Sequence, residues 1–262
     1  MADFDTAVQM YMSSPVYAVA RDSTLAEARQ KLDDWRVSAV AVVDGKALAG
    51  VVSRTDLLRV GRSEAQEGSH GVTLSLPSDK NVDSAMTTDV LRVSSTDTMR
   101  HAAELMVEAS VHRVFVEGAS GLIGVLSTRD IMDAIANERP TAELCDFMTS
   151  PITAIRAQES VATAVERLDA AGISGLVVLD EGWPVGVFTQ EEALIARDLP
   201  ESVQVEWAMN PAMLSLPHDT PLHRAAATAS SMDVRRVIVT RGHLVEGVVT
   251  GLDFCRAVLA LG

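Results

Sequence analysis

The sequence is poor in aromatic and basic residues, and each shortage excludes a class of protein. Phe, Trp and Tyr make up 4% of the 262 residues, which argues against the aromatic platforms on which single-stranded nucleic acid stacks. Lys and Arg number 22 against 36 acidic residues, so the formal net charge is −14. Proteins that bind nucleic-acid phosphates broadly carry a net basic face. We therefore expect no nucleic-acid partner, a conclusion that leaves room for a local basic pocket.

Cysteines and long apolar runs are also scarce. The two cysteines, Cys145 and Cys255, provide neither a disulfide framework nor the ligand spacing of a zinc finger. The longest apolar runs, such as AVAVV at 39–43, have the length of a strand and fall far short of the roughly 20 residues that cross a bilayer. The N-terminal MADFDTAVQM does not resemble a signal peptide. We expect a cytoplasmic protein with no membrane partner.

An internal repeat with a constant spacing organises the chain. Four methionines are each followed, 38 residues later, by a glycine that opens a Gly-apolar-apolar-[Ser/Thr] sequence. The pairs are Met12 and Gly50, Met86 and Gly124, Met148 and Gly186, and Met209 and Gly247. Successive methionines are 74, 62 and 61 residues apart. The first interval therefore contains an insertion, whose Gly, Ser and charge content predicts a loop.

Every repeat predicts the same order of elements, βαββα. In the first, TLAEARQKLDDW at 24–35 has helical spacing, and SAVAVVD at 38–44 and ALAGVVS at 47–53 read as paired strands. The predicted boundaries are 1–61 for repeat one, 62–79 for the inserted loop, 80–139 for repeat two, 140–200 for repeat three and 201–262 for repeat four. A unit of about 60 residues buries little surface alone, so we expect neighbouring repeats to pair into two modules.

This pattern resembles the cystathionine-β-synthase (CBS) domain family, in which two repeats pair into a Bateman module. The resemblance rests on the lead-ins Met12-Ser-Ser-Pro15 and Met148-Thr-Ser-Pro151, the Gly-x-x-[Ser/Thr] strand ends and the [Ser/Thr]-x-x-Asp motifs. Repeat two, with SVHRVFV and GVLSTRDIM, is similar to repeats of the γ subunit of AMP-activated protein kinase. The resemblance implies an α/β (α+β) fold of four βαββα repeats paired into two Bateman modules. It spans about residues 8–259 and leaves no stretch for a separate catalytic domain.

The [Ser/Thr]-x-x-Asp motif ends a strand and opens a helix. The hydroxyl and the free N–H groups of the helix start suit phosphate or ribose oxygens, and the carboxylate can accept hydrogen bonds from both ribose hydroxyls. The same pattern also predicts an ordinary helix cap. The candidates are Ser53, Arg54 and Asp56, Ser127, Arg129 and Asp130, and Thr250 and Asp253. In repeat three Thr189 precedes Glu192, whose longer side chain should displace the carboxylate and leave the weakest site.

A nucleotide also needs its phosphates neutralised. In the resembling γ subunit, a basic pair just before the second strand meets the phosphates. The resemblance therefore implicates His112 and Arg113 in repeat two, and Arg235 and Arg236 in repeat four. The alternative is that these are solvated basic residues at the start of a strand. The equivalent stretches are Arg36-Val-Ser in repeat one and the uncharged Ile173-Ser-Gly in repeat three.

In the family, the Asp of one repeat works with the lead-in of its partner, which encloses the base. Carried over, the lead-in residues that would face each motif are Ser14, Pro15, Val16, Tyr17 and Ala18 for Asp130, Thr88, Val90 and Leu91 for Asp56, Ser150, Ile152, Thr153 and Ala154 for Asp253, and Pro211, Met213 and Leu214 for Glu192. Tyr17 either stacks on a base or is a partly buried lead-in aromatic.

These residues predict a regulatory protein that binds AMP, ADP or ATP, the last with Mg²⁺, and that needs no cofactor. Family members bind these nucleotides, S-adenosylmethionine or no ligand. The alternatives are therefore an S-adenosylmethionine binder and a ligand-free scaffold that mediates oligomerisation. No HExxH, GxSxG or Walker A sequence occurs, so we predict no catalytic or metal-binding residue. The expected partners are the nucleotide, a second module in a disc within the chain or in a homodimer, and an unidentified regulated protein.

Overall fold

The computed structural model describes residues 2–45, 47–65, 72–119, 121–200 and 202–262. The predicted order of elements is confirmed in all four repeats. Repeat one contains β1 (Ala18–Ala20), α1 (Leu25–Asp34), β2 (Ala39–Asp44), β3 (Ala47–Ser53) and α2 (Arg54–Val60). A hairpin of β4 (Arg62–Ala65) and β5 (Val72–Ser75) follows. Repeat two contains β6 (Arg92–Ser94), α3 (Met99–Glu108), β7 (Arg113–Gly118), β8 (Gly121–Ser127) and α4 (Thr128–Glu138).

The second half of the chain repeats this order. Repeat three contains β9 (Ala154–Arg156), α5 (Val161–Ala171), β10 (Gly175–Asp180), β11 (Trp183–Thr189) and α6 (Gln190–Ala196). Repeat four contains α7 (Val205–Ala208), β12 (Leu214–Pro217), α8 (Leu222–Ser231), β13 (Arg236–Arg241), β14 (Leu244–Thr250) and α9 (Gly251–Leu261). Single 3₁₀ turns precede the first three repeats at Val8–Met10, Val82–Ser84 and Leu144–Asp146. None of the helices described is both long and apolar enough to span a bilayer.

Each repeat folds around a small three-stranded sheet. The first strand runs parallel to the middle strand, and the third runs antiparallel to it, as in the orders β1-β2-β3 and β6-β7-β8. A β-bulge interrupts every antiparallel pair one residue before the repeated glycine, so that Ile123 and Glu246 have no direct partner in the ladder. Because a bulge bends its strand and redirects a side chain, this end of the strand can receive another segment.

The repeats assemble into two compact units, each built from two non-adjacent repeats. The even unit comprises residues 2–16, Leu91–Ile152 and Ala212–Gly262, and therefore contains repeats two and four. The odd unit comprises Tyr17–Val90 and Thr153–Pro211, and contains repeats one and three. In the even unit α4 packs against α8 and α9, and α3 against α9. In the odd unit α2 packs against α6.

The lead-in methionines lie over glycines of the neighbouring repeat. Met12 packs on Gly124 and Met148 on Gly247, both in the even unit, while Met86 packs on Gly50 and Met209 on Gly186 in the odd unit. Repeats one and two thus exchange lead-ins, and so do repeats three and four. This exchange confirms the predicted pairing of neighbours, since each lead-in completes the sheet edge of the repeat next to its own.

Residues 62–79, predicted as an inserted loop, include the β4–β5 hairpin. Its register pairs Arg62 with Ser75 and Ala65 with Val72, and the insertion's residues 66–71 lie outside the described ranges. The Arg197 guanidinium donates to the Gly61 carbonyl, and the Ser63 amide donates to Asp198 at 2.7 Å. These anchors at the base of the hairpin, together with strand-favouring residues in VTLS, explain why strands form where composition predicts a loop.

Candidate functional site

All four [Ser/Thr]-x-x-[Asp/Glu] motifs form the same closed arrangement at the start of a helix. At α4 the Ser127 amide and hydroxyl donate to Asp130 Oδ2 at 2.7 Å and 2.8 Å. Corresponding pairs join Ser53 to Asp56 and Thr250 to Asp253. The ordinary helix cap that the pattern also predicted is therefore present, and the acidic side chains are at most 8% exposed. A ligand at these motifs would meet the second oxygen of each carboxylate.

Glu192 occupies the same place as the three aspartates. Its Oε2 accepts hydrogen bonds from the Thr189 amide at 3.0 Å and from the Thr189 hydroxyl, and the residue is 8% exposed. The predicted displacement of this carboxylate is wrong, because the longer side chain folds back onto its own N-cap. The weaker binding expected there stays a prediction.

The second carboxylate oxygen distinguishes Asp130 from the other two aspartates. Arg59 donates to Asp56 Oδ1 at 3.0 Å, and Arg256 donates to Asp253 Oδ1. Three residues after Asp130 the chain instead has Asp133, and among the described residues no side chain donates to Asp130 Oδ1. Burial raises the pKa of Asp130, the Ser127 hydrogen bonds oppose that rise, and Asp133 adds to it. Asp130 is thus a buried acceptor whose second oxygen is available.

The basic pairs of repeats two and four converge within the even unit. Arg113 lies opposite Ser127 in the β7–β8 ladder, and Arg236 lies opposite Thr250 in the β13–β14 ladder. Burial lowers the pKa of His112 to about 4, and repulsion from Arg235, Arg236 and Arg113 lowers it further. Residues that the sequence assigned to separate sites are therefore close enough to interact. We call His112, Arg113, Arg235 and Arg236 the basic cluster.

The odd unit has no counterpart of this cluster at the same register positions. Ala39 lies opposite Ser53, and Gly175 lies opposite Thr189. Arg36 sits in a left-handed turn with φ of 52°. Acidic partners hold both arginines inside the motifs. Arg54 donates to Asp33 at 2.6 Å and to the Leu32 carbonyl, and Arg129 pairs with Asp233 of repeat four at 2.6 Å.

The exchanged lead-ins lie on the strands that end at the motifs. In the even unit Ser13 bridges Val125, and the Ser14 hydroxyl donates to the bulged Ile123 carbonyl at 2.9 Å. The second such lead-in matches it, because the Ser150 hydroxyl donates to the Glu246 carbonyl at 2.8 Å. Both Ser14-Pro15 and Ser150-Pro151 are cis peptides. Val16 and Ile152 follow in the even unit, whereas Thr88 and Val90 belong to the odd unit with Asp56.

Several predicted lead-in residues belong to the other compact unit from the motif assigned to them. They are Tyr17, Ala18, Thr153 and Ala154 in the odd unit and Leu91, Met213 and Leu214 in the even unit, whereas Pro211 shares the odd unit with Glu192. Tyr17 stacks on Trp35, with ring centroids 4.7 Å apart and planes 16° apart. One face of the Tyr17 ring is thus covered by protein, as expected of a partly buried aromatic.

The lowered pKa of His112 predicts a pH dependence of stability. The unfolded residue takes up a proton near pH 6.5 and the folded residue near pH 4. Between these values the unfolded state binds more protons, so the free energy of unfolding should rise with pH across this window and be constant in this term above it. Urea unfolding at pH 5 and pH 7 should show a larger difference for the wild type than for His112→Asn. Equal differences would contradict the assignment.

No group of three or more His, Cys, Asp or Glu residues in the described ranges is arranged to hold a metal ion. Cys255 is buried, and burial raises the pKa of its thiol to about 12. Its sulfur lies 3.9 Å from the Met106 sulfur, as in a packed core.

Comparison with known proteins agrees with the fold. The family profile described as the CBS domain matches residues 8–63, 81–137, 144–198 and 203–260. A solved Methanocaldococcus jannaschii protein, proposed to be an archaeal homologue of the AMP-activated protein kinase γ subunit, superposes with a TM-score of 0.75 at 15% identity, over 96% of this chain and 99% of that one. An uncharacterised Pyrococcus horikoshii protein superposes with a TM-score of 0.66 at 18% identity, over 97% and 100%.

Two curated relatives are more distant in length. An uncharacterised 33.4 kDa protein from the ribosomal RNA operon of Thermofilum pendens is 22% identical over 76% of this chain and 67% of its own length. An uncharacterised Methanocaldococcus jannaschii protein is 23% identical over 97% of this chain and 62% of its own. The chain thus spans about two thirds of the length of these relatives.

Proposed function

Because this chain belongs to the CBS-domain family, whose domains are typically regulatory and non-catalytic, we propose that it senses an adenine nucleotide through the even unit. The observation that carries this proposal is the convergence of the basic cluster from two different repeats. Binding would change the relative stability of two arrangements of the chain, or its affinity for a regulated protein.

The basic cluster provides the charge that a phosphate requires. With His112 neutral at pH 7, the cluster carries three guanidinium groups in a chain with a net charge of −14. Like charges held together are unfavourable without an anion between them. Guanidinium groups bind phosphate oxygens in a bidentate manner, so a phosphorylated ligand would relieve the repulsion that now lowers the pKa of His112. The cationic sulfonium of S-adenosylmethionine would not.

Asp130 is the preferred partner for the ribose. Its Oδ2 is held by Ser127, which fixes the side chain, and its Oδ1 can accept from a ligand hydroxyl. The equivalent oxygen of Asp253 is already engaged by Arg256, so a ribose there must compete with an ion pair. The even unit therefore offers one ribose acceptor that is better prepared than the other.

This difference predicts unequal effects of two matched substitutions. Asp130→Asn keeps an acceptor for the Ser127 amide but replaces Oδ1 or Oδ2 by a donor. It should weaken AMP binding about tenfold, the loss expected for one hydrogen bond to a charged group, while Asp253→Asn should weaken it less. Isothermal titration of both variants measures the ratio. A larger loss in Asp253→Asn, or in Glu192→Gln, would reverse the assignment of the ribose site.

Titration of the wild-type protein with AMP, ADP, ATP with and without Mg²⁺, S-adenosylmethionine and adenosine tests the function itself. We expect AMP to bind at least about tenfold more tightly than adenosine, since only AMP reaches the cluster with charge-assisted bonds. The ratio should fall as salt screens the phosphate contacts. Absence of heat and of any melting shift with all ligands would favour the ligand-free scaffold instead.

A further inference from the structure

The odd unit contains a second cavity, of about 200 Å³, which is separate from the motifs and lead-ins. Its walls come from α1, α2, α6 and the β4–β5 hairpin. The closing helices α2 and α6 have seven residues each, whereas their even-unit counterparts α4 and α9 have eleven. Helices that are one turn shorter leave space beside them, and Leu74 of the hairpin covers part of it. The cavity therefore follows from the insertion found only between repeats one and two.

The cavity floor is aliphatic. Leu32 and Leu57 are at most 1% exposed and Leu58 is 7% exposed, and Ile195 and Leu74 complete the lining. The volume is below the roughly 300–1,000 Å³ of clefts that take drug-sized ligands. A ligand that fits is a small metabolite with a branched or linear hydrocarbon portion, because burial of apolar surface is the main attraction such a floor offers.

One side of the cavity presents two guanidinium groups around a single carboxylate. Arg54 donates to Asp33 at 2.6 Å, and the Arg29 Nε lies 4.0 Å from the same carboxylate. Arg29 also donates to the Leu74 carbonyl, which fixes it against the hairpin. Each guanidinium has five N–H donors, so donors remain for a second carboxylate. This side of the cavity therefore favours an anionic group on the ligand.

Glu191 supplies the opposite charge. It lines the cavity from the first turn of α6, and no ion pair in the described part of the chain involves its carboxylate. A cationic group of the ligand could pair with it without displacing a protein side chain. The cavity thus combines a site for a carboxylate, a site for an ammonium and an aliphatic floor.

We propose that this cavity binds a free aliphatic α-amino acid of about the size of leucine. Near pH 7 such a molecule carries one carboxylate and one ammonium group, which match the Arg29 and Arg54 pair and Glu191, and its side chain matches the leucine and isoleucine floor. The proposal is independent of nucleotide binding, since every residue that carries it lies in the odd unit, outside the basic cluster.

Isothermal titration and melting curves of the full chain with L-leucine and three analogues test the proposal. The analogues are 4-methylpentanoate, which lacks the ammonium, 3-methylbutylamine, which lacks the carboxylate, and glycine, which lacks the side chain. We expect leucine to bind at least about tenfold more tightly than any of them, because each lacks one matched contact. No saturable binding of leucine up to about 10 mM would overturn the proposal.

Glu191→Gln separates a real site from binding elsewhere. It should reduce leucine affinity about tenfold and leave 4-methylpentanoate affinity unchanged, since only the ammonium contact is lost. Glu206→Gln, an exposed acid on α7 of the same unit, is the matched control and should have no effect. Leucine binding that survives Glu191→Gln unchanged would place it elsewhere and refute the proposal. AMP titration of the same variant should match the wild type, which keeps this outcome distinct from failure of nucleotide binding.

Discussion

Replacing Arg235 and Arg236 together by alanine should weaken AMP binding by roughly 100-fold. Each hydrogen bond to a charged group contributes about 1.5–3 kcal/mol, and the double substitution removes two of the three guanidinium groups of the basic cluster. Adenosine, which has no phosphate, should bind within about twofold of its wild-type affinity. Isothermal titration with both ligands measures the two changes. Arg224→Ala, at an exposed position on α8 of the same repeat, is the matched control.

The same double variant provides a readout that needs no ligand. Repulsion from Arg235 and Arg236 contributes to the lowered pKa of His112, so removing both should raise that pKa from about 4 toward 6.5. NMR titration of the imidazole follows it directly. A His112 pKa that does not move would mean that repeats two and four do not bring these residues together. A pKa that rises while AMP affinity is unchanged would mean that the cluster exists but does not bind the phosphate.

Gly50→Ala should destabilise the protein by about 2 kcal/mol, within the range measured for overpacked cores. A Cβ on Gly50 would lie 2.6 Å from the Thr87 carbonyl oxygen and 3.0 Å from the Met86 sulfur. The sulfur can move, but the carbonyl cannot move freely, because Thr87 and Val51 exchange two backbone hydrogen bonds of 2.9 Å. The added methyl group must therefore separate the exchanged lead-in from its strand.

Thermal and urea unfolding measure this effect. For a chain of this size a loss of 2 kcal/mol lowers the melting temperature by about 4–8 °C. Ala47→Val adds more volume to the same strand at an exposed position and should change stability by less than about 0.5 kcal/mol. If both variants melt together with the wild type, Gly50 does not hold the lead-in as the structure shows.

The sequence predicts the elements well and their partners less well. Helical spacing, strand alternation and the repeated glycines are local signals, which is why the βαββα order is confirmed. The constant distance of 38 residues between Met12 and Gly50 suggests that these two residues belong together, yet Met12 packs on Gly124. A spacing repeated four times is equally compatible with contacts inside one repeat and with exchange between two. Only the packing of the sheets decides between them.

The candidate site divides in the same way. The convergence of His112 with Arg235 depends on how α4 and α8 pack, more than 90 residues apart in sequence, and nothing local indicates it. The difference between Asp130 and Asp253 was available, however. Arg256 stands three residues after Asp253 and Asp133 three residues after Asp130, and residues at this spacing are neighbours on a helix surface. That pattern alone predicts which carboxylate is already paired.

The three-segment construction of the even unit determines when the chain can fold. Its core joins Phe4 and Val8 near the N-terminus to Phe254 and Val258 in the last helix, and Arg100 contacts both Asp5 and the Val258 carbonyl. During synthesis the first sixteen residues therefore have no completed core to enter until the last helix has left the ribosome. Contacts between such distant parts of a sequence slow folding. Dividing the gene between repeats two and three would consequently give two polypeptides, each holding only part of both cores.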